Sequence, residues 1–170
     1  KQSNNIFYIG DTKGNIIAFG KSIILALGLQ YKTLETHGIE KHIGKHIHTG
    51  DSVIQQAQRC KGKHIYIVGG ANSAGQAAVY LSKYARKVTM LIRNTIDKSM
   101  SAYLIKQIET CNNIEVMNNC IVNGIRGESS IEIVEVEHNG KMFEICDCSS
   151  MFVFIGAKPS TSWISIDKDD

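Results

Sequence analysis

No stretch of this 170-residue chain approaches the roughly 18 consecutive apolar residues of a membrane-spanning helix, and no secretory leader is visible. The apolar run in SIILALGL is too short to span and reads as a buried strand. No block of like charge occurs, and the formal net charge is only +3, which leaves little case for nucleic-acid binding. No C-x-x-C spacing exists among the five cysteines, Cys60, Cys111, Cys120, Cys146 and Cys148. An odd count without that spacing points to a reducing cytoplasm rather than a disulfide framework. Cys146 and Cys148 share one face if their segment is a strand, and read as small core or edge residues. His42, His46 and His48 lie close in sequence, but no Cys or acid pair completes a ligand set at a familiar spacing. They read as solvated residues of a connection, and no metal is expected. No initiator Met opens the chain and no evident closing element follows SIDKDD, as in a piece of a longer protein. Internal repeats and low-complexity segments are also lacking.

What is present begins as β structure. NNIFYIGDTKGNIIAFG reads as a strand, a DTKG turn and a second strand. SIILALG then reads as an apolar strand ending at Gly28. LQYKTLETHGIEKHIGKHIHTG has mixed polarity and three glycines, and reads as a surface connection. DSVIQQAQRC reads as one short helix. From His64 the pattern becomes β-α-β-α-β: strand HIYIV, a helix with Ala74, Ala77, Ala78 and Leu81 on one face, and strand KVTMLI. A second helix follows, with Ser99 as cap and Met100, Leu104, Ile108 and Cys111 on one face, and then strand IEVM. Three alternating segments, split by GESS and HNGK turns, predict an antiparallel meander. The apolar MFVFIGAKP returns to the parallel sheet.

The loop between strand HIYIV and its helix reads Gly69, Gly70, Ala71, Asn72, Ser73, Ala74. This is the G-x-G-x-x-A fingerprint with its middle glycine replaced by Ala71. Gly69 permits the tight turn, and Ala74 is small enough for the helix to lie close to the strand. The free N–H groups and positive dipole at the helix start suit a pyrophosphate. An NAD site ends its second strand in Asp or Glu, to bind the ribose 2′-hydroxyl. Here that position holds Arg93 and Asn94, which favours a 2′-phosphate and therefore NADPH. Asp97, a few residues on, keeps NADH open.

GGANSAGQAA, SMSAYLI and FVFIGAKPSTSW together resemble the NAD(P)H-binding domain of thioredoxin-reductase-like flavoproteins, in the pyridine-nucleotide disulfide oxidoreductase superfamily. The flavour most resembled is fused to regulatory domains and has the loop GGGNSAGQAA. The resemblance covers nearly the whole chain. It implies that Gly69 to Ala74 hold the pyrophosphate, that Gln76 approaches the nicotinamide side, and that Arg93 and Asn94 read the 2′-phosphate. It also implies that Ile155 and Gly156 pass the cofactor. SIILALG resembles a closing strand of the FAD domain, so FAD is expected in the full-length protein and not on this chain alone. Small redox reductases of this kind carry a C-x-x-C shortly before the glycine loop. This chain has only Cys60 there, which reads as a structural thiol.

The expected architecture is α/β, a Rossmann-like parallel sheet with helices on both faces, plus an antiparallel meander and flanking strands of an FAD domain. Residues 1–32 are expected to end an FAD-domain segment and 33–63 to form a crossover with a short helix. Residues 64–160 form the NAD(P)H-binding domain, and 161–170 return toward the FAD domain. The expected partners are a pyridine nucleotide and the FAD domain of the same protein, with a homodimer left open and no nucleic acid or membrane. The chain would orient the nicotinamide for flavin reduction and be inactive alone, with no catalytic side chain of its own. The alternative is a regulatory or degenerate nucleotide-sensing module.

Overall fold

The structure, a computed structural model, describes residues 6–164 and the backbone of Gln2 and Ser3. The chain divides into two compact units, Lys1–Leu29 with Pro159–Asp170, and Gln30–Lys158.

In the smaller unit, β1 (Gln2–Ser3), β2 (Ile6–Gly10) and β3 (Ile16–Gly20) form an antiparallel sheet in that order. The DTKG turn works through Asp11. Its carboxylate accepts the Lys13 and Asn15 backbone N–H groups, each at 2.9 Å. SIILALG departs from expectation. Residues 22–28 are irregular, and Ile24 is 93% exposed. A strand needs a neighbour's backbone groups and a cover for its apolar side chains. In the described residues of this unit Gly28 O accepts the Ser160 N–H (3.1 Å), but no neighbouring strand runs along the rest, and Ile24 and Leu25 stay exposed.

β4 (Leu29–Tyr31) comes next in the chain, and β5 (Ile47–Thr49) and the short α1 (Val53–Gln56) follow. The βαβ core is β6 (His64–Val68), α2 (Asn72–Leu81), β7 (Lys87–Ile92), α3 (Ala102–Glu109) and β8 (Ile114–Asn118). The meander is β9 (Cys120–Arg126), β10 (Ile133–His138) and β11 (Lys141–Ile145), followed by β12 (Ser150–Val153) and β13 (Ala157–Pro159). The parallel sheet runs β5-β12-β6-β7-β8. The HNGK turn closes β10 on β11 with Asn139 at φ 51° and Gly140 at φ 77°, the left-handed pair of a type I′ hairpin.

Every residue of β6 is buried, because both faces of the sheet are covered. Alternation sends Ile65, Ile67, Val88, Met90 and Phe152 to one core with Ala74, Ala77, Ala78, Leu81, Leu104 and Ile108. Tyr66, Val68, Leu91, Met151 and Val153 face the other core, with Val122, Val134 and Val136 of the meander. The Rossmann-like α/β class is as expected, with one correction. Helices were expected on both faces, but α2 and α3 cover one face and the antiparallel sheet covers the other. The meander's alternating apolar face is the complementary surface that this second face requires.

DSVIQQAQRC is helical throughout, but only Val53–Gln56 is α, between two 3₁₀ turns. The connection before it is largely exposed, as expected, but it is anchored at several points. His37 O accepts the Ile125 N–H (3.1 Å), Ile39 is buried, and Ile47–Thr49 forms the edge strand beside β12. Of the three histidines read as solvated, His42 and His48 are buried and His46 is half-buried. His42, 1% exposed, donates to Gly127 O (3.2 Å), His46 donates to Ser129 O (3.0 Å), and His48 packs on Phe152. The His42 and His46 imidazoles tie the connection to the β9–β10 turn, more than 80 residues away in sequence. The Cys146 and Cys148 expectation also changes. Both lie between strands, with Cys146 exposed and Cys148 buried.

A polar chain runs from buried His64, Tyr66 and Thr89 to the exposed Asp147 at the start of the parallel strands. His64 Nδ1 meets Asp147 (2.6 Å), His64 Nε2 meets Thr89 Oγ1 (2.9 Å), and Tyr66 donates to Asp147 (2.8 Å). Burial pushes the Asp147 carboxyl up, but the His64 and Tyr66 hydrogen bonds outweigh it and hold it below 3.8. A carboxyl lowered by folding adds stability above its unfolded pKa and loses it as pH falls through the folded value. Asp147→Asn should therefore flatten acid unfolding below pH 3.8, as followed by circular dichroism. An unchanged acid limb would show that this contact contributes nothing.

Among the described residues no helix is long and apolar enough to cross a membrane, and no group of three or more His, Cys, Asp or Glu could hold a metal.

Candidate functional site

β6 ends at Val68, and the chain turns through Gly69 and Gly70 into α2. Gly69 sits at φ 139°, and a Cβ there would lie 2.4 Å from Phe154 O. Glycine is required because β12 passes so close. Phe154 N–H donates to Val68 O at 2.8 Å. A Cβ on Gly70 would lie 2.6 Å from Ile92 Cγ2, the end of a side chain. Gly75 is a third necessary glycine, missed in the sequence. A Cβ there would lie 2.7 Å from Leu104 Cδ2 and 2.8 Å from Met100 Sδ, so its absence lets α2 and α3 approach.

Ala71 is the N-cap of α2, in extended backbone at φ −94° and ψ 177°, and makes no capping hydrogen bond. The first helical bond runs from Gly75 N–H to Ala71 O (3.2 Å). The N–H groups of Asn72, Ser73 and Ala74 thus have no partner within the helix. Side chains around the turn are committed to holding it. Asn72 Nδ2 donates to Ser101 Oγ (2.9 Å), Ser101 N–H donates to Asn72 Oδ1 (2.8 Å), and Ser99 Oγ donates to Gly70 O (3.0 Å). The cap of α3 is Ser101, not Ser99. Ser99 is drawn away by the Gly70 carbonyl.

The strand order reverses at this turn. From β6 the chain goes to β7 on one side, while β12 lies on the other. Open α/β sheets bind ligands at such a switch point, beyond the carboxyl ends of the strands. A cleft of about 1030 Å³ opens there, over residues 68–71, 91–95 and 154–156, walled by residues 30–35 and 120–122. Its charged lining is Lys32, Arg93 and Lys158 against one carboxylate, Glu35. The open helix start and the cationic excess fit a dinucleotide polyanion.

Gly69, Gly70, Ala71, Arg93, Asn94, Ile155 and Gly156 all line this cleft. Asn72 and Ser73 lie exposed in the first turn of α2, whereas the Ala74 methyl is buried in the core. Gln76 is exposed on α2 and does not line the cleft. Lys32, Glu35 and Lys158 do line it and were not singled out from the sequence. They are ordinary surface residues there, and only the fold brings their segments to the switch point.

Residues 3–169 match the family described as pyridine nucleotide-disulphide oxidoreductase. The chain belongs to this family. It is 31% identical to a thioredoxin reductase of Borreliella burgdorferi over 168 residues, 96% of this chain and 49% of that protein. A "34.2 kDa protein in rubredoxin operon" of Clostridium pasteurianum is 30% identical over 83% of this chain and 45% of its own length. The chain thus spans about half the length of these relatives. The Lactococcus lactis thioredoxin reductase structure, in its FR conformation, superposes with a TM-score of 0.80. It covers 97% of this chain and 54% of that one at 21% identity, which speaks for the fold alone. Giardia duodenalis thioredoxin reductase gives a TM-score of 0.69 at 27% identity, over 79% of this chain and 43% of that one.

In this member of the pyridine nucleotide-disulphide oxidoreductase family, the thiol preceding the glycine turn is buried and hydrogen-bonded. Cys60 is buried in the core, and its Sγ–H donates to Gln56 O (3.4 Å). Burial pushes its pKa up. Cys120 lines the cleft, but burial raises its thiol to about 11, so it stays protonated at neutral pH.

Proposed function

We propose that this chain carries the NAD(P)H-binding domain of a thioredoxin-reductase-like flavoprotein and that it prefers NADPH to NADH. The supporting observation is the uncapped start of α2, at the switch point, facing a cleft with three cations. The backbone from Gly69 to Ala74 would hold the pyrophosphate and Arg93 the 2′-phosphate, while Ile155 and Gly156 would flank the cofactor. Gln76 remains a candidate for the nicotinamide side once the full protein is assembled. When bound, the reduced nicotinamide of NAD(P)H would supply a hydride for reduction of FAD. This chain's residues bind and orient, and none acts as acid, base or nucleophile, so the isolated chain is expected to be inactive.

Residues 1–32 and 161–170 are assigned to the FAD domain, 33–63 to the crossover and 64–160 to the nucleotide domain. The flavin would be held by the full-length protein. A reducing cytoplasm suits the five unpaired cysteines.

The rival is a regulatory or degenerate module. The Ala71 methyl and the lone, buried Cys60 favour it. Calorimetric titration of the chain with NADPH and NADH decides between them, and absence of binding at millimolar levels removes the oxidoreductase reading. In the same titration Arg93→Ala should weaken NADPH by about tenfold, the loss of one charge-assisted phosphate contact, and leave NADH nearly unchanged. Equal losses would move Arg93 to the shared pyrophosphate.

A further inference from the structure

We infer that Lys32 and Lys158 form a second anion subsite, which takes the phosphate on the nicotinamide side of the bound dinucleotide. This rests on the nucleotide reading above. Lys32 N–H donates to Gly156 O (3.0 Å), which holds the segment after β4 against the segment after β12. Lys158 follows two residues on, and both lysines line the cleft. A Cβ on Gly156 would meet nothing within 4 Å, so the space beside this glycine is open. Neither ammonium group has a hydrogen-bond or ion-pair partner among the described residues. Glu35, the one carboxylate lining the cleft, pairs with neither.

Position gives the pair its role. Arg93 follows β7, on one side of β6, and Lys158 follows β12, on the other. A dinucleotide whose pyrophosphate meets α2 lies across this reversal, with one half on each side. With Arg93 at the adenosine 2′-phosphate, the nicotinamide half falls to the lysines. The pair also has something to offset. The Ala71 methyl stands where a middle glycine would let backbone come closer to the phosphates, and mobile ammonium groups restore attraction without close backbone contact.

The test is calorimetry on the 170-residue chain and on the Lys32→Ala/Lys158→Ala double variant, at low and high salt. NADPH and NADH should both weaken by about tenfold at low salt, from two partly exposed charge contacts, with their ratio unchanged and a shallower salt dependence. Binding of 2′,5′-ADP, the adenosine half alone, should not change. Lys32→Arg/Lys158→Arg should keep most of the affinity. Unchanged nucleotide affinity, a loss confined to NADPH, a loss for 2′,5′-ADP, or an arginine variant no better than alanine would each overturn the subsite. If the unaltered chain binds neither nucleotide, the proposed function falls, and inorganic pyrophosphate then judges the subsite by itself. Weaker pyrophosphate binding in the double alanine variant supports it, and equal or absent binding rejects it.

Discussion

Gly69→Ala is expected to destabilise the larger unit by about 3 kcal/mol, which lowers its melting temperature by roughly 10 °C. Two costs act at once. At φ 139° an alanine is strained whatever space it has, and its Cβ would stand 2.4 Å from the Phe154 carbonyl oxygen. That carbonyl cannot retreat cheaply, because Phe154 N–H is bonded to Val68 O. Gly70→Ala makes the comparison. Its Cβ meets the end of the Ile92 side chain at 2.6 Å, and Gly70 has no positive φ. It should cost distinctly less, since a side chain can rotate. Thermal denaturation of both variants by circular dichroism gives the order. If Gly70→Ala proves as costly as Gly69→Ala, the close passage of β12 is not what requires the glycine.

Ala71→Asp is expected to raise stability and remove nucleotide binding together. Alanine is a poor N-cap, and aspartate in the extended backbone found there would accept the first free N–H groups of α2, for a gain of about 1 kcal/mol. The same carboxylate would occupy the donors assigned to the pyrophosphate and repel it. Loss of those charge-assisted bonds, with the added repulsion, should weaken both NADPH and NADH about a hundredfold. Ala71→Ser separates the effects, because a serine cap stabilises without adding charge. A variant that gains stability and still binds NADPH would show that the helix start is not the phosphate site. The open cap thus leaves stability unused at the position where an anion would supply the missing acceptor.

Patterns whose cause is local were legible in the sequence. HIYIV, KVTMLI and the helix face of Ala74, Ala77, Ala78 and Leu81 became β6, β7 and the buried side of α2, because a short β-branched apolar run suits a strand covered on both faces and period 3.6 follows from helix geometry. HNGK became a type I′ turn, because Asn and Gly tolerate positive φ. The connection from Leu29 to Gly50 was misread at its buried positions, Ile39, His42, Ile47 and His48, because their burial depends on distant chain. His42 and His46 look solvated until the Gly127–Ser129 turn comes to meet them. SIILALG has the composition of a buried strand, but composition supplies no neighbour.

By itself the sequence determined the βαβ unit, its glycine turn and the replacement of the usual strand-end acid by Arg93, because each of these is written within a few adjacent residues. The tertiary structure decided what no local pattern holds. It placed the antiparallel sheet, not helices, on the second face of the parallel sheet. It turned Gly75 into a packing requirement, through Leu104 and Met100 of a neighbouring element. It brought Lys32 and Lys158, more than 120 residues apart, to one cleft with Arg93. Cleft charge and close backbone approach are set by which segments the fold makes neighbours, and that choice is made by the whole packed core.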